Sequence, residues 1–131
     1  MSRYEDKVVR LLNDNKVEYF REYIAPGCTH NGKPLRFDFA VVEAFGAPLT
    51  FIEVNGEQHY RQIDKFFKTR SEYKTAQERD RIKIKYCLLN GHKLIIIPYW
   101  EIKDLTFEKI FNTEEWIAKS IWHNDEVEVP K

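Results

Sequence analysis

Cysteine is scarce in this chain, and long apolar runs are absent from it. Its 131 residues include two cysteines, Cys28 and Cys87, which lie far apart and lack a CxxC partner. We therefore expect neither a disulfide framework nor a structural zinc site. The longest apolar stretch, around Leu94 to Pro98, spans only a few residues, and the N-terminus is charged. These features predict no membrane span, no secretory signal and a reducing, cytoplasmic location.

The chain also lacks net charge, with 21 basic and 21 acidic residues, but the two signs are unevenly distributed. Residues 61–85 carry nine basic and four acidic side chains, whereas residues 101–131 carry four basic and eight acidic ones. Phosphate contact depends on local charge, because electrostatic attraction is screened within about 8 Å at physiological salt. The segment Arg61 to Lys85 is therefore a candidate nucleic-acid face, with a solvated helix of mixed charge as the alternative.

The composition is that of a folded protein. Hydrophobic residues make up 43% of the chain and aromatic residues 15%, far from the signature of disorder. The length is that of one domain. We predict a single domain over residues 1–122, followed by an acidic, loose tail over residues 123–131.

The apolar periodicity predicts a mixed α/β (α+β) fold. The predicted elements are, in chain order, a helix to about Asn15, a strand over 16–24 that ends at Pro26-Gly27, a turn over 30–34, strands over 35–42 and 48–55, a helix from about Arg70 to Asn90-Gly91, a buried strand over 92–99, and short helices over 100–120.

The strands over 35–42 and 48–55 are predicted to pair as a hairpin. If the loop is residues 44–47, residue 43 pairs with residue 48 and the paired numbers sum to 91. Asp38 then lies directly opposite Glu53, and directly paired side chains share one face of a sheet. The alternation of the first strand places Asp38 on the face opposite Phe37 and Phe39.

The facing carboxylates of Asp38 and Glu53 predict a metal site. Two like charges at facing positions repel, so a cation between them is expected. Oxygen ligands are what Mg²⁺ prefers, and Mn²⁺ is the alternative; such an ion typically takes one or two carboxylates and completes its shell with water and phosphate. Pairing of either carboxylate with Lys83 or Arg36 is the competing interpretation.

Asp80 is a further carboxylate, and it is predicted to face the core. It lies on the apolar stripe of the long helix with Ala76, Ile84 and Cys87. An unpaired carboxylate facing the core is costly, so Asp80 needs a partner or a function.

These residues resemble the PD-(D/E)xK nuclease superfamily over roughly Tyr4 to Trp100. Asp38 resembles the first acidic ligand of that family, and Glu53-Val54-Asn55 resembles its (D/E)xK motif, with Asn55 at the lysine position. The resemblance implies a restriction-endonuclease-like core, in which a helix, a three-stranded antiparallel meander, a long helix and a further buried strand follow one another. Because Asn55 replaces the lysine, the role of that lysine must be absent or moved.

Within the superfamily, the chain is similar to very-short-patch-repair endonucleases and to phage homing and nicking enzymes with an EDxHD motif. Those proteins carry a helix with D..K..YC and a strand like LIRIPYW; the matching residues here are Asp80, Lys83, Tyr86, Cys87 and the strand Leu94 to Trp100. The resemblance implies that a histidine after the third strand and acids from both helices join the site. Those residues are His59, Glu5 and Asp80.

Each implied role has a plainer alternative. His59 suits a general base that takes a proton from water, or it is a turn residue satisfied by hydrogen bonds. Gln58 is a candidate for orienting the water or the phosphate. Glu5 has the capping-box spacing from Ser2. Asp80 either holds His59 in one tautomer or pairs with a nearby lysine, Lys83 or Lys85.

Basic side chains interleave with aromatic ones in the candidate nucleic-acid face, as expected where phosphates are contacted. The predicted DNA-binding residues are Lys65, Lys68, Arg70, Lys74, Arg79 and Arg81.

The first hypothesis is therefore a Mg²⁺-dependent endodeoxyribonuclease of phage or mobile-element type that cuts or nicks DNA by direct attack of water. Its specificity would be short, or would come from a homodimer or a specificity partner. The second hypothesis is a non-catalytic nucleic-acid-binding relative, which Asn55 favours. An interaction module that uses the acidic C-terminus is the third, and it leaves the carboxylate pair unexplained.

Overall fold

The computed structural model describes residues 3–42, 50–56 and 70–111. Its elements are α1 (Arg3–Asp14), β1 (Tyr19–His30), β2 (Lys33–Val41), β3 (Thr50–Asn55), α2 (Arg70–Asn90), β4 (Lys93–Pro98), a 3-10 turn (Tyr99–Glu101) and α3 (Phe107–Ile110). The strands form one sheet in the order β1-β2-β3-β4, with β1, β2 and β3 antiparallel and β4 parallel to β3. The predicted mixed α/β class is confirmed.

The two long helices cover opposite faces of the sheet. Val8 and Leu12 of α1 pack in one buried cluster with Ile52 of β3, whereas Cys87 of α2 packs in a second cluster with Phe51. Adjacent residues of a strand point to opposite faces, so these two clusters lie on the two sides of the sheet. β4 is buried over its last four residues, as its unbroken apolar run predicts.

The predicted single apolar face of β2 is wrong. Phe37 packs in the cluster under α2, whereas Phe39 packs in the cluster under α1. Glu22 and Asp38 lie where the β1–β2 hairpin changes face, between the pairs Arg21↔Phe39 and Tyr23↔Phe37. Glu22 has a φ of 53°, which interrupts the period of two in an L-residue strand. Asp38 therefore does not lie opposite both phenylalanines.

The predicted end of β1 at Pro26-Gly27 is also wrong. The strand continues to His30, with a register shift between Ile24 and Thr29. β1 is an edge strand, where the missing N–H of proline breaks no inner ladder, and Gly27 adopts a φ of 84° within this irregularity. The predicted turn at Asn31-Gly32 is confirmed, since both residues have positive φ, as a tight hairpin turn requires.

The predicted register of the second hairpin is confirmed. The observed pairs are Phe39↔Ile52, Ala40↔Phe51 and Val41↔Thr50, each of which sums to 91. Asp38 and Glu53 follow as the next position, where the regular ladder ends. The predicted loop over 44–47 lies outside the described residues.

α2 has the predicted bounds, and its buried stripe is close to the predicted one. Asp80 and Cys87 are buried as expected, together with Tyr73 and Gln77. Across the residues described, no helix is long and apolar enough to cross a membrane.

Candidate functional site

Asp38 and Glu53 meet at the end of the β2–β3 ladder. Asp38 Oδ2 accepts a hydrogen bond of 2.8 Å from the backbone N–H of Val54, so this side chain reaches across to β3. The two carboxyl groups are close enough for the charge of Glu53 to raise the pKa of Asp38. Glu53 points from β3 toward α2, where Lys83 Nζ donates to its Oε1 at 3.0 Å. The alternative that Glu53 pairs with Lys83 is therefore confirmed.

Lys83 reaches Glu53 because α2 lies across that face of the sheet. The side chains of Lys83 and Glu53 are only 15% and 8% exposed. Lys83 Nζ also lies 5.5 Å from the centroid of the Phe37 ring, which favours the charged ammonium. The ammonium is thus held between a carboxylate and an aromatic ring.

The three side chains set one another's protonation. Burial and the charge of Glu53 raise the pKa of Asp38, and the hydrogen bond from the Val54 N–H opposes them; the net result is a pKa of about 8. Burial also raises the pKa of Glu53, and Lys83 counteracts this. Burial lowers the pKa of Lys83, but the charge and hydrogen bond of Glu53 and the charges of Asp80 and Asp38 together outweigh burial, so the net shift is upward. At neutral pH Asp38 therefore holds a proton and Lys83 is charged.

The protonated Asp38 predicts a pH dependence of stability. Its pKa is about 8 in the folded chain and about 3.9 in an unfolded one, so the folded chain binds a proton that the unfolded chain releases. This stabilising contribution is complete below about pH 4 and is lost as the pH rises toward about 8. We expect the free energy of unfolding of metal-free protein to fall across this window and Asp38→Asn to remove most of that fall.

Urea unfolding in EDTA at several pH values measures this dependence. Asp14→Asn, which replaces an exposed aspartate of α1, is the control and should keep the wild-type slope. Equal slopes for wild type and Asp38→Asn would contradict the prediction.

Asp38 also belongs to a second group of carboxylates, with Glu5 and Glu22. The carboxylate oxygens of Glu5, Glu22 and Asp38 lie within 4.8 Å of one another. α1 supplies Glu5, as the resemblance implied, and the left-handed backbone of β1 supplies Glu22. Glu22 could not be identified from the sequence, because the register of the β1–β2 hairpin changes along its length. The numbers of paired residues sum to 63 beside the turn (His30↔Lys33) and to 60 beyond the bulge (Ile24↔Arg36). A register extended from the turn would have placed Ala25 opposite Asp38.

Two arginines contact this group. Arg21 Nη2 lies 3.0 Å from Glu5 Oε1, and Arg36 Nη1 lies 3.9 Å from Glu22 Oε2. The predicted alternative that Arg36 pairs with Asp38 or Glu53 does not hold in this geometry. The proton on Asp38 and the short Arg21 contact reduce the repulsion among the carboxylates, whereas the longer, exposed Arg36 contact contributes little.

The structure brings most of the predicted site residues together. Asp80 is buried on α2, and its charge acts on both Glu53 and Lys83. Asn55 is 2% exposed at the end of β3. Gln58 and His59 lie outside the described residues, and so does Ser2, the capping partner proposed for Glu5.

The predicted DNA-binding residues of α2 do not share one face. Arg70, Lys74 and Arg81 are exposed and lie within about 40° around the helix axis. Lys85, which the predicted set omitted, extends this stripe. Arg79 is exposed about 160° away from Arg81 around the axis. Two further predicted residues, at positions 65 and 68, lie outside the described part of the chain.

The donors of this site suit a hard divalent cation. Glu5, Glu22, Asp38 and Glu53 all offer carboxylate oxygens, the ligands that Mg²⁺ and Mn²⁺ prefer. A cation at Asp38 would replace its proton and relieve the repulsion among neighbouring carboxylates. The residues present therefore fit such an ion.

Comparison with known proteins gives a partial similarity to a viral protein. No protein-family model matches the chain, and no solved structure matches it. The chain is similar to Uncharacterized protein 307L of Invertebrate iridescent virus 6, with 39% identity over 54 residues. This match covers 41% of the chain and 27% of the length of the viral protein. The name of that relative states no activity, so function is inferred from the site.

Proposed function

We propose that this chain is a metal-dependent endodeoxyribonuclease with a restriction-endonuclease-like core, of the PD-(D/E)xK type. The observation that carries the proposal is the contact of Asp38 and Glu53 at the end of paired strands, with the Lys83 ammonium 3.0 Å from Glu53. Two acids and one lysine are the charges that this chemistry uses. Lys83 supplies from α2 the positive charge that Asn55 cannot supply from β3.

Each described residue has a task in the proposed reaction. Asp38, with Glu5 and Glu22 beside it, would hold Mg²⁺ or Mn²⁺, and Glu53 would complete the site from β3. When bound, the metal lowers the pKa of an attacking water and neutralises the phosphate. Lys83 opposes the rise in the pKa of Glu53 and adds positive charge beside the developing negative charge. His59 as the base and Gln58 as the orienting residue stay predictions.

Incubation of the purified protein with DNA tests the activity. We expect Mg²⁺ or Mn²⁺ to allow cleavage or nicking of supercoiled plasmid, and EDTA to stop it. Linear, single-stranded and branched DNA extend the panel and identify the preferred substrate. The enzymatic proposal fails if none of these substrates is cut with either metal.

The second candidate is a non-catalytic nucleic-acid-binding relative of the same fold. The observation that favours it is the buried pair of Glu53 and Lys83, which already neutralises one of the two predicted metal ligands. A protein of this kind would bind DNA equally well with and without Mn²⁺. Binding without cleavage, and without a metal dependence, would select it over the nuclease.

The exposed basic stripe of α2 predicts where DNA is contacted. Replacing Arg81 and Lys85 together with alanine should weaken binding to any duplex sequence and should lower the slope of log affinity against log salt by about 2. The reason is that each lost phosphate contact releases about one fewer counterion. Titration of labelled duplex at several salt concentrations measures the slope.

Arg79→Ala is the matched control, because it removes the same charge from the other side of the helix. Its slope should change less than that of Arg81→Ala alone. Equal effects of Arg79→Ala and Arg81→Ala would show that DNA binding depends on the net charge of α2 and not on one face of the helix.

The proposal also includes a homodimer or a specificity partner. In either case the second chain would select the DNA.

A further inference from the structure

Arg21 holds an unusual position beside the acidic group. Its Nη2 lies 3.0 Å from Glu5 Oε1, and its guanidinium carbon lies 4.9 Å from the centroid of the Phe39 ring. Its Nε is buried and has no hydrogen-bond partner among the residues described. A buried donor without an acceptor costs free energy, so part of this guanidinium is poorly satisfied where it stands.

Glu5 cannot fully serve two cations. A carboxylate oxygen of Glu5 lies within 4.8 Å of carboxylate oxygens of Glu22 and Asp38. The same carboxylate accepts a hydrogen bond from Arg21. A divalent cation among these oxygens would repel the guanidinium at short range and compete with it for Glu5. Metal and Arg21 are therefore alternative partners of one carboxylate.

We propose that Arg21 is an exchangeable counter-ion: it holds Glu5 while the acidic group lacks a metal, and it binds a DNA phosphate once metal takes Glu5. The proposal rests on the proposed nuclease function and adds a substrate-binding residue to its site. The side chain is 31% exposed, so it has solvent to turn into. The planar guanidinium fits two phosphate oxygens at once, and the Phe39 ring supports its stem.

Arg36 provides the contrast. It lies 3.9 Å from Glu22, and both side chains of this pair are more than half exposed. Ion pairs in solvent contribute little, so removal of Arg36 should leave the metal affinity almost unchanged. Comparison of Arg21 with Arg36 therefore separates an effect of Arg21 from an effect of surface charge in general.

Calorimetric titration with Mn²⁺ in the absence of DNA is the first measurement. Arg21→Met removes the charge and keeps an unbranched stem on Phe39. We expect this variant to bind Mn²⁺ roughly three- to tenfold more tightly than wild type, because its competitor for Glu5 is gone. Arg36→Met should change the affinity by less than about twofold.

Binding of a labelled DNA duplex in Ca²⁺, which takes the same oxygen ligands, is the second measurement. Arg21→Met should bind the duplex roughly tenfold more weakly than wild type. Arg21→Lys should fall between the two, since an ammonium contacts phosphate as a point charge. If the role of Arg21 were purely structural, Arg21→Met would bind both metal and DNA more weakly. If Arg21 exchanges partners, the variant binds metal more tightly and DNA more weakly.

The outcomes separate the two proposals. If wild type binds Mn²⁺ but Arg21→Met binds it no more tightly, or Arg36→Met gains as much, the exchange is overturned while the metal site stands. Unchanged DNA binding in Arg21→Met overturns the exchange as well. If wild type binds no Mn²⁺, both the exchange and the proposed nuclease function are overturned.

Discussion

Replacing Lys83 with methionine is expected to lower the free energy of unfolding by about 3–5 kcal/mol at neutral pH. The variant leaves the Glu53 side chain, which is 8% exposed, buried without its ammonium partner. Methionine keeps an apolar stem of similar length near Phe37, so the loss reports mainly on charge. Urea unfolding followed by circular dichroism measures the change.

Lys85→Met is the matched control, because it removes an exposed lysine from the same helix. Surface charges of this kind change stability by less than about 0.5 kcal/mol. The double variant Lys83→Met/Glu53→Gln should recover much of the loss, since no unpaired charge then remains buried. Similar losses for Lys83→Met and Lys85→Met would show that the Glu53–Lys83 pair contributes nothing beyond a surface contact.

Asp38→Asn is expected to lower the rate of metal-dependent DNA cleavage by roughly a thousandfold or more, because loss of metal-assisted catalysis removes several kcal/mol of transition-state stabilisation. Asp38 belongs to both carboxylate contacts, with Glu53 on one side and with Glu5 and Glu22 on the other. Its amide replacement keeps the shape and removes the negative charge. Cleavage of supercoiled plasmid under single-turnover conditions measures the rate.

Asp6→Asn controls for general loss of negative charge, because Asp6 is an exposed acid of α1 next to Glu5. Its cleavage rate should stay near that of wild type. Calorimetry with Mn²⁺ adds a readout that does not depend on turnover, and Asp38→Asn should bind the ion weakly. An active Asp38→Asn variant would remove this carboxylate from the metal site.

Local patterns predicted the long helix and the second hairpin. The period of 3.6 over residues 70–90 and the stop at Asn90-Gly91 predicted α2, which spans Arg70–Asn90. The length of one loop predicted the register in which pairs sum to 91. Both predictions rest on neighbours in the chain, whose geometry the backbone itself restricts.

The partners of the acidic residues could not be predicted in the same way. Glu53 and Lys83 are 30 residues apart, and their contact requires α2 to lie on one particular face of the sheet. Glu22 meets Asp38 because a bulge shifts the register of β1 and a positive φ changes its face. Neither event leaves a periodic signal in the sequence.

The sequence by itself determined the elements, their order and the pairing that brings Asp38 next to Glu53. Propensity, apolar period and turn length act over a few residues, so they are readable in the chain. Only the tertiary structure decided that Lys83 neutralises Glu53, and that Glu5, Glu22 and Arg21 surround Asp38. Those contacts depend on packing between distant segments, where burial and charge select one arrangement among many that the local pattern allows.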